Sequence, residues 1–99
     1  MIEFLSQYSR YVWTLSFRGF VDRLREVLAA QPDLAQSVDK DGITLFWWLP
    51  DDEDKALEIV KLLLSHGGDP AAKSKSGSTA AGWARKRGMF EVVKLLESQ

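Results

Sequence analysis

Apolar residues recur with the spacing of an α-helix in several stretches of the chain. In segment 21–28 they fall at i, i+3, i+6 and i+7, which places them on one side of a helix. Segments 57–64 and 90–97 show the same spacing, except that Glu97 takes the last place, and segment 4–15 carries a similar stripe of aromatic and aliphatic residues. No stretch alternates between apolar and polar residues over more than a few positions, as a half-buried strand would. The pattern therefore predicts an all-α protein.

Turn and stop signals lie between these predicted helices. Pro32 follows the first stripe, and the sequence His-Gly-Gly-Asp-Pro at 66–70 follows the second. Asp-Gly at 41–42 and Ser-Gly at 76–77 are typical of tight turns. The signals predict short helices joined by tight turns.

The helices belong to stretches of sequence that repeat. Residues 41–49 match residues 76–84 at an offset of 35, with the Gly, the Thr and one Trp in common. Residues 57–63 match residues 90–96 at an offset of 33, and residues 19–28 are a fainter third copy. Such self-similarity is the signature of a repeat architecture. It predicts three units, each a turn followed by two antiparallel helices.

The repeated unit resembles the ankyrin repeat, whose pattern is G-x-T-P-L-H, two helices and then L-L-x-x-G-A-D. Segment 61–70 closely matches the end of the second helix and the loop after it, and segments 31–34 and 39–42 resemble the passage between two repeats. The central tetrapeptide departs from the pattern. It reads Thr-Leu-Phe-Trp at 44–47 and Thr-Ala-Ala-Gly at 79–82, so neither unit keeps the family's Pro or His.

The resemblance implies a single domain over residues 1–99. Its fold would be an ankyrin-repeat solenoid of three stacked helix-turn-helix units with short turn tips. The units would cover approximately residues 1–38, 39–73 and 74–99. Helix pairs of this length bury their apolar faces only by stacking, so that each unit contacts its neighbours.

The repeat register also predicts which residues are buried. The core positions at the junctions between units are Leu24, Leu63 and Val93. A terminal unit needs a polar outer face, and Glu97 stands where we align Leu28 and Leu64 in the other two units. We therefore expect an exposed Glu97 and two buried leucines.

Composition and charge exclude several classes of protein. The chain has 99 residues with 13 Lys or Arg, 14 Asp or Glu and a net charge of −1, whereas a nucleic-acid-binding domain normally has a strongly basic face. The absence of Cys excludes disulfides, thiol catalysis and Cys-based zinc sites. With a single His and no Walker loop, G-x-S-x-G or G-x-G-x-x-G motif, we expect no enzyme, cofactor or metal. Glu3 near the start and the lack of a long apolar run predict a cytoplasmic protein with no membrane association.

Two polar features have competing interpretations. The acidic run 51–54 lacks the alternating spacing of a calcium loop and is typical of a helix N-terminus, where carboxylates accept free N–H groups. Its place in the repeat also sets it opposite the basic run 85–87 of the next unit, and partner recognition is its alternative role. His66 lies at the end of a predicted helix, near the last carbonyls. Contact with a ligand in the groove is the alternative for His66.

The four tryptophans are the most informative residues. Trp48 and Trp83 lie one repeat apart at equivalent positions, on the helix that the ankyrin family turns toward its concave face. As an exposed strip they would serve as protein-binding hot spots, whereas packed inward they would be part of the core. The sequence leaves both alternatives open. Trp47 falls where the family has His, and we expect it to be buried.

The resemblance implies a non-enzymatic module that binds another protein through its concave face and turn tips, as a small inhibitor or immunity-type protein. We expect a monomer; the alternative is a structural or self-assembling protein that pairs through its aromatic N-terminal helix. Carried over by position, the turn-tip, inner-helix and groove-wall residues expected to bind the partner are Lys40, Asp41, Ile43, Trp48, His66, Lys75, Ser76, Ser78, Trp83, Lys86 and Arg87.

Overall fold

A computed structural model describes residues 11–99 of the chain. In this part the protein consists of α-helices and 3-10 turns without a strand, and its extended contact is an isolated bridge between Val38 and Thr44. The all-α prediction is confirmed for these residues. The start of the predicted N-terminal stripe, before residue 11, lies outside the described residues. The elements are α1 (11–18 of the described part), α2 (Val21–Ala30), a 3-10 turn (Pro32–Gln36), a second 3-10 turn (Leu45–Trp47), α3 (Glu53–Ser65), α4 (Ala80–Lys86) and α5 (Phe90–Glu97).

Helix α3 begins and ends at the signals that the sequence predicts. The Asp52 carboxylate accepts the backbone N–H groups of Asp54 at 3.0 Å and Lys55 at 3.4 Å, and so caps the helix. Two residues beyond its end, Gly67 takes φ +86°, the left-handed conformation in which glycine commonly terminates a helix. The interpretation of the acidic run as a helix N-terminus is therefore confirmed.

The buried face of α3 lies one residue away from the stripe that the sequence predicts. Its buried residues are Ala56, Ile59, Val60 and Leu63, at i, i+3, i+4 and i+7. Since α3 packs against both α2 and α5, the buried arc is centred between these neighbours. Leu64 is left at the border of the arc, where it is only half-buried. The prediction of a buried Leu64 is wrong.

The other predicted core positions agree with the structure. Leu24 and Leu63 have no exposed surface and Val93 is 6% exposed. Leu28 is fully buried and Glu97 is exposed. The predicted stripe of segment 90–97 is only partly confirmed, because Phe90 is 60% exposed and the buried face of α5 comprises Val92, Val93 and Leu96.

The middle unit departs from the predicted helix pair. Where the repeat predicts a first helix, the chain forms only the three-residue 3-10 turn Leu45–Trp47. Pro50 explains the departure, because a proline disfavours helical backbone at the residue before it, here Leu49. The turn ends at Trp47, and the next residue, Trp48, has φ and ψ of −99° and 65°, which are not helical. The expectation of a complete helix pair in every unit is thus corrected for this unit.

Two tight turns lie side by side and align the last two units. The first turn (39–43) and the second turn (74–78) are closed by the same two backbone hydrogen bonds, at 2.9–3.1 Å. The amide of Lys75 donates to the carbonyl of Asp41 at 2.9 Å, which joins one turn to the other. Gly42 has φ +80°, and a Cβ there would lie 3.0 Å from the backbone of the second turn. Only glycine fits this junction without strain.

A carboxylate joins the helices of the same two units. Oε2 of Glu53, in the first turn of α3, accepts the backbone amides of Glu91 at 3.0 Å and Val92 at 3.4 Å. It therefore satisfies N–H groups that the start of α5 leaves free. Helix α5 packs on α4 as well as on α3, which fixes α4 beside the second 3-10 turn.

None of the helices within residues 11–99 has both the length and the apolar character needed to span a membrane.

Candidate functional site

An open hollow of about 610 Å³ lies between α1, the second 3-10 turn and α4. We call it the aromatic hollow, because four of its lining side chains are aromatic. It is lined by Phe17, Ile43, Trp47, Trp48, Asp51, Trp83 and Arg87.

The tryptophans of this hollow belong to two groups of contacting aromatic rings. The ring of Trp48 meets Trp13 edge-on, with centroids 5.3 Å apart, and Phe17 at 5.8 Å. The ring of Trp47 lies against Trp83 at 5.9 Å with a tilt of 32°. Trp83 thus contacts Trp47, whereas the sequence suggested a direct strip of Trp48 and Trp83.

The choice between exposed strip and core is decided by burial. Trp48 is 42% exposed and Trp83 is 43% exposed, so both present a large part of the indole to solvent. Trp47 is half-buried, so it is less exposed than Trp48 and Trp83 but not buried as expected. Its Nε1 atom is buried and has no hydrogen-bond acceptor among the described residues. The exposed part of the indole surface therefore consists mainly of Trp48 and Trp83, with the half-buried Trp47 beside them.

A buried hydroxyl holds Trp48 in place. Ser16, on α1, has no exposed surface, and its Oγ donates a 2.7 Å hydrogen bond to the carbonyl of Trp48. This bond ties α1 to the end of the second 3-10 turn, because a buried hydroxyl needs a partner. It explains how Phe17, the next residue, enters the wall of the hollow.

Arg87 lines the aromatic hollow and is held by two hydrogen bonds. Its guanidinium donates to the carbonyl of Leu49 at 2.8 Å and to the carboxylate of Asp51 at 2.7 Å. The Arg87 side chain is only 18% exposed, whereas that of Asp51 is fully exposed. The predicted charge matching between the acidic run and the basic run is thereby confirmed for this pair. The structure places Arg87 as a brace between two units rather than as a free cation.

A second hollow, of about 440 Å³, adjoins the first. It shares Ile43, Trp47 and Trp83 with the aromatic hollow, so the two form one continuous concave surface. We call it the serine hollow, since hydroxyl groups of the second turn dominate its other wall. Its remaining lining residues are Ser74, Ser76, Gly77, Ser78, Thr79, Gly82 and Lys86.

The structure brings together seven of the eleven residues that the sequence proposes for partner binding. The aromatic hollow holds four of them and the serine hollow adds three: Ile43, Trp48, Trp83 and Arg87, then Ser76, Ser78 and Lys86. Lys40, Asp41 and Lys75 are exposed on the turns but line neither hollow.

His66 lies apart from both hollows. It follows α3, and its Nδ1 lies 2.9 Å from the carbonyl oxygen of Leu62 and 3.2 Å from the hydroxyl of Ser65. This is the helix-end interaction that the sequence predicted as one of two alternatives. The geometry gives His66 no contact with the aromatic surface.

Phe17 is a lining residue that the sequence does not single out for binding, and Asp51 is one that it offers only through the alternative role of the acidic run in partner recognition. Phe17 lies just before residues 19–28, the stretch of the first unit that resembles the other two, so no repeat position identifies it. Asp51 was interpreted as part of a helix N-terminus, although its neighbour Asp52 is the residue that caps α3. The approach of α1 to α4 could not be derived from the periodicity of either helix.

The two hollows differ in the chemical groups that they expose. Asp51 and Arg87, the ionisable residues that line the aromatic hollow, neutralise each other. Within residues 11–99, no group of three or more His, Asp or Glu is placed to hold a metal ion. The remaining walls offer indole faces, hydroxyl groups and one ammonium group for binding.

No protein-family model matches the chain, and no curated protein is significantly similar to it.

Proposed function

We propose that the chain is a small ankyrin-type repeat protein that binds another protein through its concave aromatic surface and its turn tips. The recurrence of one turn geometry after 35 residues, with a backbone hydrogen bond from Lys75 to Asp41, supports the ankyrin-type stacking. The capping of α5 by Glu53 supports the same arrangement, because it joins equivalent helices of adjacent units. The short 3-10 turn Leu45–Trp47 would then be a truncated inner helix.

One observation carries the binding proposal: two indoles, each more than 40% exposed, line the same apolar hollow. A contiguous exposed aromatic patch is typical of an interaction site, and tryptophan is among the residues most enriched in binding hot spots. The rings are restrained by contacts with one another, and Ser16 fixes the backbone of Trp48, so little side-chain entropy is lost when a partner covers them. The proposed activity is non-enzymatic binding, and a small inhibitor or immunity-type protein that covers its partner's surface is the form we favour.

The experiment compares two exposed aromatic residues on the same protein. Immobilised chain would capture partners from the native cell, and the captured protein would then be titrated against Trp83→Ala and Phe90→Ala. Phe90 is 60% exposed on α5 and lines neither hollow, so it is a matched control. We expect Trp83→Ala to weaken binding by about 2 kcal/mol or more, about 30-fold. Phe90→Ala should leave affinity nearly unchanged, and both variants should keep their helical circular dichroism.

Equal affinity of Trp83→Ala and the parent protein would contradict the proposal. A loss of folding in Trp83→Ala would also contradict it, because the indole would then belong to the core.

Self-association is the second candidate, and one observation favours it. Tyr11 and Phe17 on α1 are 39% and 53% exposed, so the described part of the N-terminal helix presents aromatic surface. Sedimentation at micromolar concentration separates the candidates. The binding proposal expects a monomer, whereas a dimer that dissociates on Phe17→Ala substitution would support self-assembly.

A further inference from the structure

The serine hollow differs in charge from the aromatic hollow beside it. Its lining residues include the ammonium group of Lys86 and no carboxylate. Lys86 forms no ion pair within residues 11–99, whereas Arg87 next to it is paired with Asp51. The concave surface is thus neutral and aromatic at one end and cationic and hydroxyl-rich at the other.

The hydroxyl groups of the second turn form a short chain. The Oγ atoms of Ser74 and Ser76 are 2.9 Å apart, and those of Ser76 and Ser78 are 3.3 Å apart. The backbone amide of Ser78 also donates to Ser74 Oγ at 3.3 Å, so no hydroxyl proton is used there. Three hydroxyl protons serve two contacts, which leaves one O–H to donate to an acceptor outside the chain. Together with Lys86, this donor suits an anionic oxygen.

Resting on the proposed function, we infer that the partner presents an extended acidic segment to this surface. The carboxylate of an Asp or Glu in that segment is bound by Lys86 and the one free serine hydroxyl, through hydrogen bonds strengthened by charge. A large apolar side chain near it in the segment enters the aromatic hollow, against Trp48 and Trp83.

An extended segment fits because the two hollows share walls. Side chains at i and i+2 of an extended chain point to the same side and lie about 6.5–7 Å apart. One segment can therefore place one side chain in each hollow across the shared Trp47 and Trp83 rings. A segment of about ten residues reaches about 33 Å, comparable with the 38 Å longest dimension of the protein.

The test begins with random peptides of about ten residues displayed with blocked C-termini and selected on the immobilised full chain. We expect selected peptides to carry an Asp or Glu within a few positions of a Phe, Leu or Trp. The most enriched peptide is then synthesised with an acetylated and amidated backbone. Its affinity is measured by the change in the chain's tryptophan fluorescence.

Variants of Lys86 locate the carboxylate. Lys86→Gln should weaken binding about three- to tenfold, and so should replacement of the peptide's Asp or Glu by Asn or Gln. Because the two changes remove the same interaction, the double change should cost little more than either alone. Lys73→Gln is the matched control, since Lys73 is exposed and lines neither hollow. It should bind the peptide as the parent does.

Three outcomes would overturn the inference. Selected peptides that are neutral or basic, or whose affinity is insensitive to Lys86→Gln, would show that no carboxylate is recognised. Failure to select any peptide would show that an extended segment is not the occupant. In each case the proposed function stands if capture of a folded partner still depends on Trp83, and it falls as well if it does not.

Discussion

Leu63→Ala tests the packing between units most directly. Leu63 has no exposed surface and lies on the face of α3 that packs against α2, α5 and both 3-10 turns. Removing its isobutyl group from a site enclosed on every side costs about 2–5 kcal/mol, because the lost burial is compounded by a cavity. A domain of this size is stable by about 5–15 kcal/mol in total. Since each kcal/mol lowers the Tm of such a domain by about 4–8 °C, we expect a loss of at least about 8 °C.

The neighbouring residue supplies the control for the same chemical change. Leu64 lies on α3 beside Leu63 but is only half-buried, so Leu64→Ala should cost less than about 1.5 kcal/mol. Both variants would be measured by chemical denaturation followed by circular dichroism, with the slope compared to confirm two-state unfolding. If Leu64→Ala destabilises the protein as much as Leu63→Ala, the buried face of α3 is assigned incorrectly.

Three further changes probe the joints between units. Arg87→Ala leaves the buried Leu49 carbonyl without its donor and should lower the free energy of unfolding by about 1–3 kcal/mol. Lys86→Ala changes an exposed neighbour and should cost under about 0.5 kcal/mol in the same thermal or chemical unfolding experiment. Equal costs would mean that Arg87 does not join the two units. Gly42→Ala adds a clash with the second turn to the strain of a positive φ, whereas Gly77 has φ +85° and open space around it. Gly42→Ala should therefore lower the free energy of unfolding by about 1 kcal/mol or more beyond the loss in Gly77→Ala. Similar denaturation midpoints for the two variants would argue against the stacked turns. Glu97→Leu removes only an exposed ion pair with Arg85, so the free energy of unfolding should change by less than about 1 kcal/mol. The added leucine enlarges the exposed apolar surface, so sedimentation should detect more association. A large loss of stability would contradict an exposed Glu97.

Much of the local structure could be predicted from the residues alone. The turns, the acidic cap of α3 and the glycine that ends it are encoded within a few residues of where they act, because capping and positive φ are local requirements. The helical spacing of Leu24, Leu63 and Val93 likewise reports burial without any knowledge of neighbours. The sequence also placed the charges of the acidic and basic runs opposite each other through the repeat alone.

Periodicity gave the wrong expectation at two places, once because of neighbouring elements and once because of a local proline. The stripe that included Leu64 was one residue out of phase, because the buried arc of a helix depends on the positions of both elements packed against it. The helix expected around Trp47 shrank to a 3-10 turn through the effect of Pro50, a local signal that the repeat pattern outweighed in our interpretation.

The candidate site is the part that only the tertiary structure decided. The sequence determined that Trp48 and Trp83 recur after 35 residues and that serines and lysines follow on the second turn. It did not determine that the indoles are exposed, that Trp47 rather than Trp48 contacts Trp83, or that Phe17 of α1 completes the wall. Helical spacing fixes which residues share a face, whereas the exposure of that face depends on how far the next element covers it. The positions of the covering elements are set here by long-range hydrogen bonds such as Ser16 to Trp48 and Arg87 to Leu49, which join residues 32 and 38 positions apart.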